Sequence, residues 1–133
     1  MFQLSEMTSL ALHGMVFIAA SGGQAIHVKE IARKIGASEA HLSKVLQRLV
    51  KVGLLHSTRG PSGGFEMAKA PERITLWDIY LAMEGSITHE GCPIHQNHCP
   101  FTRCILGGIP KKLNQEFEDY LKSQTLQDFP EIR

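Results

Sequence analysis

The sequence predicts a mainly α fold carrying one small β-hairpin, and three observations predict it. Apolar residues recur at helical spacing in three successive segments of the first half. Two of those segments are joined only by Gly36-Ala37-Ser38, a connection as short as a helix-turn-helix requires. A glycine-rich string, Arg59-Gly60-Pro61-Ser62-Gly63-Gly64, then separates two short strand-like stretches.

In chain order, Leu10, Leu12, Met15, Val16 and Ala19 place a first helix over about residues 5–20, stopped by Ser21-Gly22-Gly23. Val28, Ile31, Ala32 and Ile35 define a second, with Gly36 where a left-handed residue ends helices. Ser38 is a natural N-cap for the third helix, whose buried stripe is Leu42, Val45, Leu46, Leu49 and Val50 and which Gly53 closes. The strands are Leu54-Leu55-His56-Ser57-Thr58 and Phe65-Glu66-Met67-Ala68. Thr75 caps a fourth helix running to about Glu84, with Asp78 completing a capping-box variant. In the last part, Leu113, Phe117, Tyr120 and Leu121 form an apolar stripe on an otherwise charged helix. That stripe needs a cover, either a second subunit in a symmetric dimer or the core of its own domain. Gly107-Gly108-Ile109-Pro110 delays the start of this helix and loosens its link to what precedes it, with Pro110 at a first-turn position.

Three helices followed by such a hairpin make a winged helix, and the third helix has the outward face a DNA reader needs. Ser38, Glu39, His41, Ser43, Lys44, Gln47 and Arg48, with Lys51 behind them, are residue types that reach base edges and phosphates. On the helix alone a solvated charged face explains them equally well. The hairpin decides between the two: Arg59 at its tip suits a narrow minor groove, and Gly60, Pro61, Ser62 and Gly63 let the backbone approach a surface closely. A phosphate-binding glycine loop is a poorer fit, because no Gly-Lys-Ser/Thr follows and no helix starts there. Charge agrees, since residues 1–69 balance to +4 and residues 70–133 to −3. The partner expected from the residues is therefore double-stranded DNA. The chain divides into a winged helix-turn-helix domain at 1–85, a cysteine-rich loop at 86–106, and a C-terminal helix with its tail at 107–133.

Other classes are disfavoured. No apolar run approaches the roughly 20 residues that span a bilayer, and Glu6 interrupts any leader early. An odd number of cysteines without an export signal points to a reducing cytoplasm. Catalysis lacks its parts, because Cys99 beside His95 and His98 has no identifiable oxyanion element, and no small-molecule substrate is expected.

All three cysteines, Cys92, Cys99 and Cys104, lie in one segment punctuated by Gly91, Pro93 and Pro100 and carrying His95 and His98. Thiolates are soft ligands for zinc or iron–sulfur clusters and are also easily oxidised. The spacing C-x6-C-x4-C matches neither ferredoxin runs nor the C-x2-C knuckles of structural zinc. On chemistry alone a cluster, redox thiols and a Cys₃His zinc module all stay open.

The chain resembles the Rrf2 family of winged-helix regulators, typified by the iron–sulfur cluster regulator IscR and the nitric-oxide-sensing repressor NsrR. The resemblance rests on Val28-Lys29-Glu30-Ile31-Ala32, on residues 46–54, on Arg59-Gly60-Pro61-Ser62-Gly63-Gly64-Phe65, on Ile74-Thr75-Leu76-Trp77-Asp78-Ile79, on Glu84-Gly85 and on the cysteine trio, in that order. It implies a homodimer on partly palindromic operators, with the C-terminal helix at the subunit interface, and an iron–sulfur cluster, [2Fe-2S] or [4Fe-4S], on Cys92, Cys99 and Cys104. The family more often spaces its cysteines C-x5-C-x5-C. Some relatives add a histidine three residues after the last cysteine, a position that is Gly107 here. Others draw an acidic residue or a histidine from the partner's first helix, positions corresponding to Ser9 and His13. Glu6, Ser9 and His13 share roughly one helix face, so the resemblance favours His13 as fourth ligand, with Glu6, His95 and His98 as other candidates. A transcription regulator, activator or repressor, that responds to redox, nitric oxide or cluster status is the implied function. A cluster-free thiol or metabolite sensor on the same fold is the alternative.

Overall fold

A computed structural model of the protein describes residues 3–85, 92, 94 and 98–133. Gly91, Pro93 and His95 lie outside the described residues. The elements run α1 (Glu6–Ala20), α2 (Val28–Ile35), α3 (Glu39–Lys51), β1 (Leu55–Thr58), β2 (Gly64–Met67), α4 (Leu76–Glu84) and α5 (Ile109–Ser123), with 3-10 turns at Pro71–Arg73 and Leu126–Asp128. This is the mainly helical fold with a small β-wing that the periodicity and the hairpin predict.

Local chemistry accounts for the boundaries. Ser5, Ser38 and Thr75 each accept a backbone N–H from the first turn of the helix that follows, and Thr75 and Asp78 close a reciprocal capping box. Gly36 ends α2 in the left-handed conformation, so α3 can start three residues later. One cap was not foreseen. His27 caps α2 through Nδ1, which accepts the Lys29 N–H at 3.1 Å.

Ala11, Met15 and Ile18 of α1, Ile31 and Ala32 of α2, and Leu42, Val45, Leu46 and Leu49 of α3 form one continuous core with Leu55, Phe65, Ile79 and Tyr80. Truncating a fully buried leucine such as Leu46 costs about 2–5 kcal/mol at such sites. The hairpin is antiparallel, with Leu55 opposite Met67 and Thr58 opposite Gly64. It is fastened to the start of α2 by paired backbone bonds between Ile26 and Phe65, at 2.9 and 2.8 Å. A Cβ on Gly64 would lie 2.3 Å from the Ile26 carbonyl oxygen, so only glycine lets the wing come this close.

The C-terminal part departs from the simplest expectation. Phe117 and Leu121 of α5 pack on their own domain, Phe117 edge-on to Tyr80 with ring centroids 5.2 Å apart, while Leu113 and Tyr120 stay exposed. The stripe is thus shared between two faces. Residues beyond α5 are not a loose tail: Thr125 bridges Thr75, Leu126 N–H donates to the Ile74 carbonyl at 3.0 Å, and Leu126 is buried. Gly107 and Gly108 are both left-handed and break the chain before α5, as their sequence predicts. They build a hydrogen-bonded turn rather than a loose link, since Gly107 N–H reaches the Cys104 carbonyl at 3.0 Å and Ile109 N–H the Leu106 carbonyl at 3.1 Å.

Candidate nucleic-acid interface and cysteine segment

Helix α3 buries Leu42, Val45, Leu46 and Leu49 and thereby turns its other face outward. Along that face Glu39, His41, Lys44, Gln47, Arg48 and Lys51 are exposed and Ser43 is half-buried. A shallow open concavity is lined by Ala40, Ser43, Lys44, Gln47, Arg48 and Lys51, which contributes three cations and no acid. Among the described residues none of these cations is held in an ion pair. Ser38, at the helix start, spends its hydroxyl on the His41 N–H at 3.4 Å. Its role visible here is to cap the helix.

At the wing tip Arg59, Gly60, Pro61 and Ser62 are exposed, while Gly63 is buried in the turn. Gly63 N–H donates to the Gly60 carbonyl at 3.0 Å, and a Cβ on Gly63 would sit 2.4 Å from the Thr58 carbonyl oxygen. Gly63 therefore closes the loop and leaves its neighbours to meet a surface.

The thiols of Cys92, Cys99 and Cys104 are all free, the first two half-buried and the last exposed. Backbone N–H groups of Gly108 and Leu106, with Gly107 adding less, hold the Cys104 thiol below its ordinary range. The two left-handed glycines turn those amides toward the sulfur, in the manner of an anion-binding nest. Among the described residues no three His, Cys, Asp or Glu side chains converge closely enough to hold a metal ion. His98 is exposed beside Cys99.

His13 lies exposed on α1 with Nδ1 2.7 Å from the Ser9 carbonyl. A carbonyl oxygen only accepts, so Nδ1 is the donor in this contact and Nε2 is not used by it. Metal-ligating histidines are commonly oriented in this way. Glu6 is exposed two turns earlier on the same helix.

One cluster gave no signal in the sequence. The Glu84 carboxylate, at the end of α4, accepts from the Ser5 hydroxyl at 2.7 Å and from the hydroxyl of fully buried Thr8, 76 residues away. Hydrogen bonds from Thr8, then Ser5, hold its pKa below the usual carboxylate range, and Arg48 of α3 lowers it further.

A reading helix with a cationic face and a glycine-tipped wing are the parts of a DNA-binding winged helix. The sequence profile of the Rrf2 family, described as an iron-dependent transcriptional regulator, matches residues 4–131. The chain belongs to the Rrf2 family of transcriptional regulators. It is 30% identical to the transcriptional regulator NsrR of Bacillus licheniformis, over 95% of this chain and 90% of that one. It is 31% identical to NsrR of Geobacillus kaustophilus, over 98% and 91%. Among solved structures it is similar to CymR, the global cysteine regulator of B. subtilis, with a TM-score of 0.77 and 27% identity over 98% and 97% of the two chains. It is likewise similar to T. potens IscR, with a TM-score of 0.73 and 28% identity over 96% and 85%. As an Rrf2 protein it is a DNA-binding transcription regulator, and its relatives are regulators rather than enzymes. No helix among the described residues is long and apolar enough to cross a membrane.

Proposed function

We propose that this Rrf2 protein is a cytoplasmic homodimer whose affinity for operator DNA depends on an iron–sulfur cluster held by Cys92, Cys99 and Cys104. The observation that carries this reading is three free thiols in one segment, of which Cys104 is already biased toward the thiolate by the 106–108 turn. Soft donors of this kind fit an iron–sulfur cluster, and exposed His13, whose Nδ1 is engaged by the Ser9 carbonyl, fits the fourth position from the partner protomer. Cluster binding would tie the three thiols to one centre, and gain or loss of that tie is what would make the segment responsive. The family's description as iron-dependent agrees. When bound, the cluster supplies a redox- and nitric-oxide-reactive centre.

The chain's own residues do the rest. Lys44, Gln47, Arg48 and Lys51 contact the major groove and its phosphates, His41 and Ser43 lie nearest the bases, and Arg59 enters the minor groove with Gly60, Pro61 and Ser62 beside it. Ile109, Leu113 and Tyr120 are exposed along one face of α5 and support its place at the subunit interface. Reconstitution with iron and sulfide under nitrogen, followed by an absorption spectrum and an operator titration on the same sample, tests the reading. A cluster spectrum with affinity altered several-fold supports it; an unaltered affinity at fixed salt sinks it.

A second reading keeps the DNA-binding fold and makes the cysteines redox thiols. It is favoured by the exposed, acidified Cys104 and by the structural likeness to CymR, which is named a cysteine regulator. A colourless protein after reconstitution that forms a reversible disulfide would establish it.

A further inference from the structure

Glu84 is oddly placed for its own helix. It is the last residue of α4, where a carboxylate opposes the negative end of the helix dipole. Its partners lie instead at the positive end of α1. Ser5, the N-cap, accepts the Thr8 N–H at 3.1 Å and donates its hydroxyl to Glu84 Oε1. Thr8 donates its hydroxyl to the same oxygen and is wholly buried while doing so. Ser5 N–H lies 3.4 Å from that oxygen as well. Charge-assisted bonds of this type are among the stronger ones a surface offers.

Two neighbours give the contact its meaning. On one side Gly85 follows immediately, and the chain continues from it toward Cys92. On the other side α1 runs as one unbroken helix to Ala20 and lies against α3. A Cβ on Gly14 would be 3.3 Å from Leu46 Cδ2 and 3.6 Å from Leu42 Cδ1, so there is no slack between α1 and the recognition helix. Arg48, on the outward face of α3, adds a small electrostatic lowering of the Glu84 pKa.

We propose that the clasp of Glu84 on Ser5 and Thr8 is the joint through which the cysteine segment acts on the recognition helix. This rests on the reading of that segment as the sensor. Rearrangement around Cys92 shifts Glu84 through Gly85, Glu84 draws the N-terminus of α1, and α1 repositions Leu42 and Leu46 and with them the face of α3. Glu84 is a positioning residue in this scheme and touches neither DNA nor cluster.

The test compares operator Kd for iron–sulfide-reconstituted and chelator-stripped protein at fixed salt, in the wild type, in Glu84→Ala and in Thr8→Val. Thr8→Val preserves volume and so remains informative where Glu84→Ala fails to fold. The wild-type ratio between the two states is expected within roughly 5–150-fold, the usual range of such coupling. In the variants it falls toward one while the loaded spectrum is unchanged, and amide exchange at the start of α1 quickens in the stripped protein. A wild type that responds, with variants responding by the same ratio, overturns the clasp and leaves the sensor reading standing. A wild type with no response overturns the sensor reading and the clasp with it.

Discussion

At the tip of the wing, Arg59 is exposed and holds no ion pair among the described residues, which suits the proposed contact with DNA. Arg59→Ala is expected to weaken operator binding by about 1–3 kcal/mol, with a shallower salt dependence and an unchanged melting temperature. Filter binding at several salt concentrations checks this. Cys99→Ala is expected to do the opposite, abolishing the proposed cluster's absorption while the stripped protein keeps its helical circular dichroism. Matched losses in both assays would indicate misfolding. Glu84 makes a third residue-scale prediction. Its folded pKa is depressed, so its stabilising contribution is complete above the ordinary carboxylate pKa and is lost as pH falls through the lower folded value. Acid unfolding followed by circular dichroism is expected to show wild type losing more stability than Glu84→Gln in that window. At this scale the outward placement of Arg59 and the α3 cations was legible from residue type and order alone; their role on DNA, like that of the cysteines, is proposed. The Thr8–Glu84 contact was not legible, because it joins positions 76 residues apart and no local pattern marks it. His27 was missed for another reason: histidine seldom caps a helix, so its type carries no boundary signal.

Among the elements, those with local punctuation were the readable ones. Ser38, Gly36 and the Thr75–Asp78 box set helix ends that the sequence announces, and Thr75→Ala is expected to cost about 1 kcal/mol in denaturant unfolding. Helix α5 was half legible. Its apolar residues are spread around more than one face, so a single stripe read from spacing merged two surfaces: Phe117 and Leu121 turned to the domain, and Leu113 and Tyr120 turned out with Ile109. Asn114 and Glu118 are buried beside Leu121, with Glu118 paired to Lys122 at 2.8 Å, and polar residues in such places leave no hydrophobic signal. Lys122 also lies 5.4 Å from the Trp77 ring, which stacks on Tyr80, so α4 and α5 are held by rings and charge together. The outward face yields an element-scale prediction. Leu113→Glu combined with Tyr120→Glu is expected to shift the proposed dimer to monomer in sedimentation velocity and leave the helical content intact. A dimer that survives both charges would move the interface elsewhere.

Across the whole molecule, the cysteine segment lies between α4 and α5, and α4 is tied to α1 through Glu84 and to the C-terminal residues through Thr75 and Leu126. Helix α1 then lies on α3, and the wing is pinned to the entrance of α2 by Ile26 and Phe65. On the proposed reading, a change in the segment reaches α3 through Glu84 and α1. Family membership makes the chain a transcription regulator; the proposed dependence on a cluster is the claim that gives the cysteines their purpose. The most direct measurement is an operator titration at fixed salt on one anaerobic sample, divided into a reconstituted half with a recorded cluster spectrum and a chelator-stripped half. The account predicts Kd values that differ by roughly 5–150-fold, the span of typical coupling free energies. Identical Kd values for the two halves, with the cluster spectrum present in one, would contradict it.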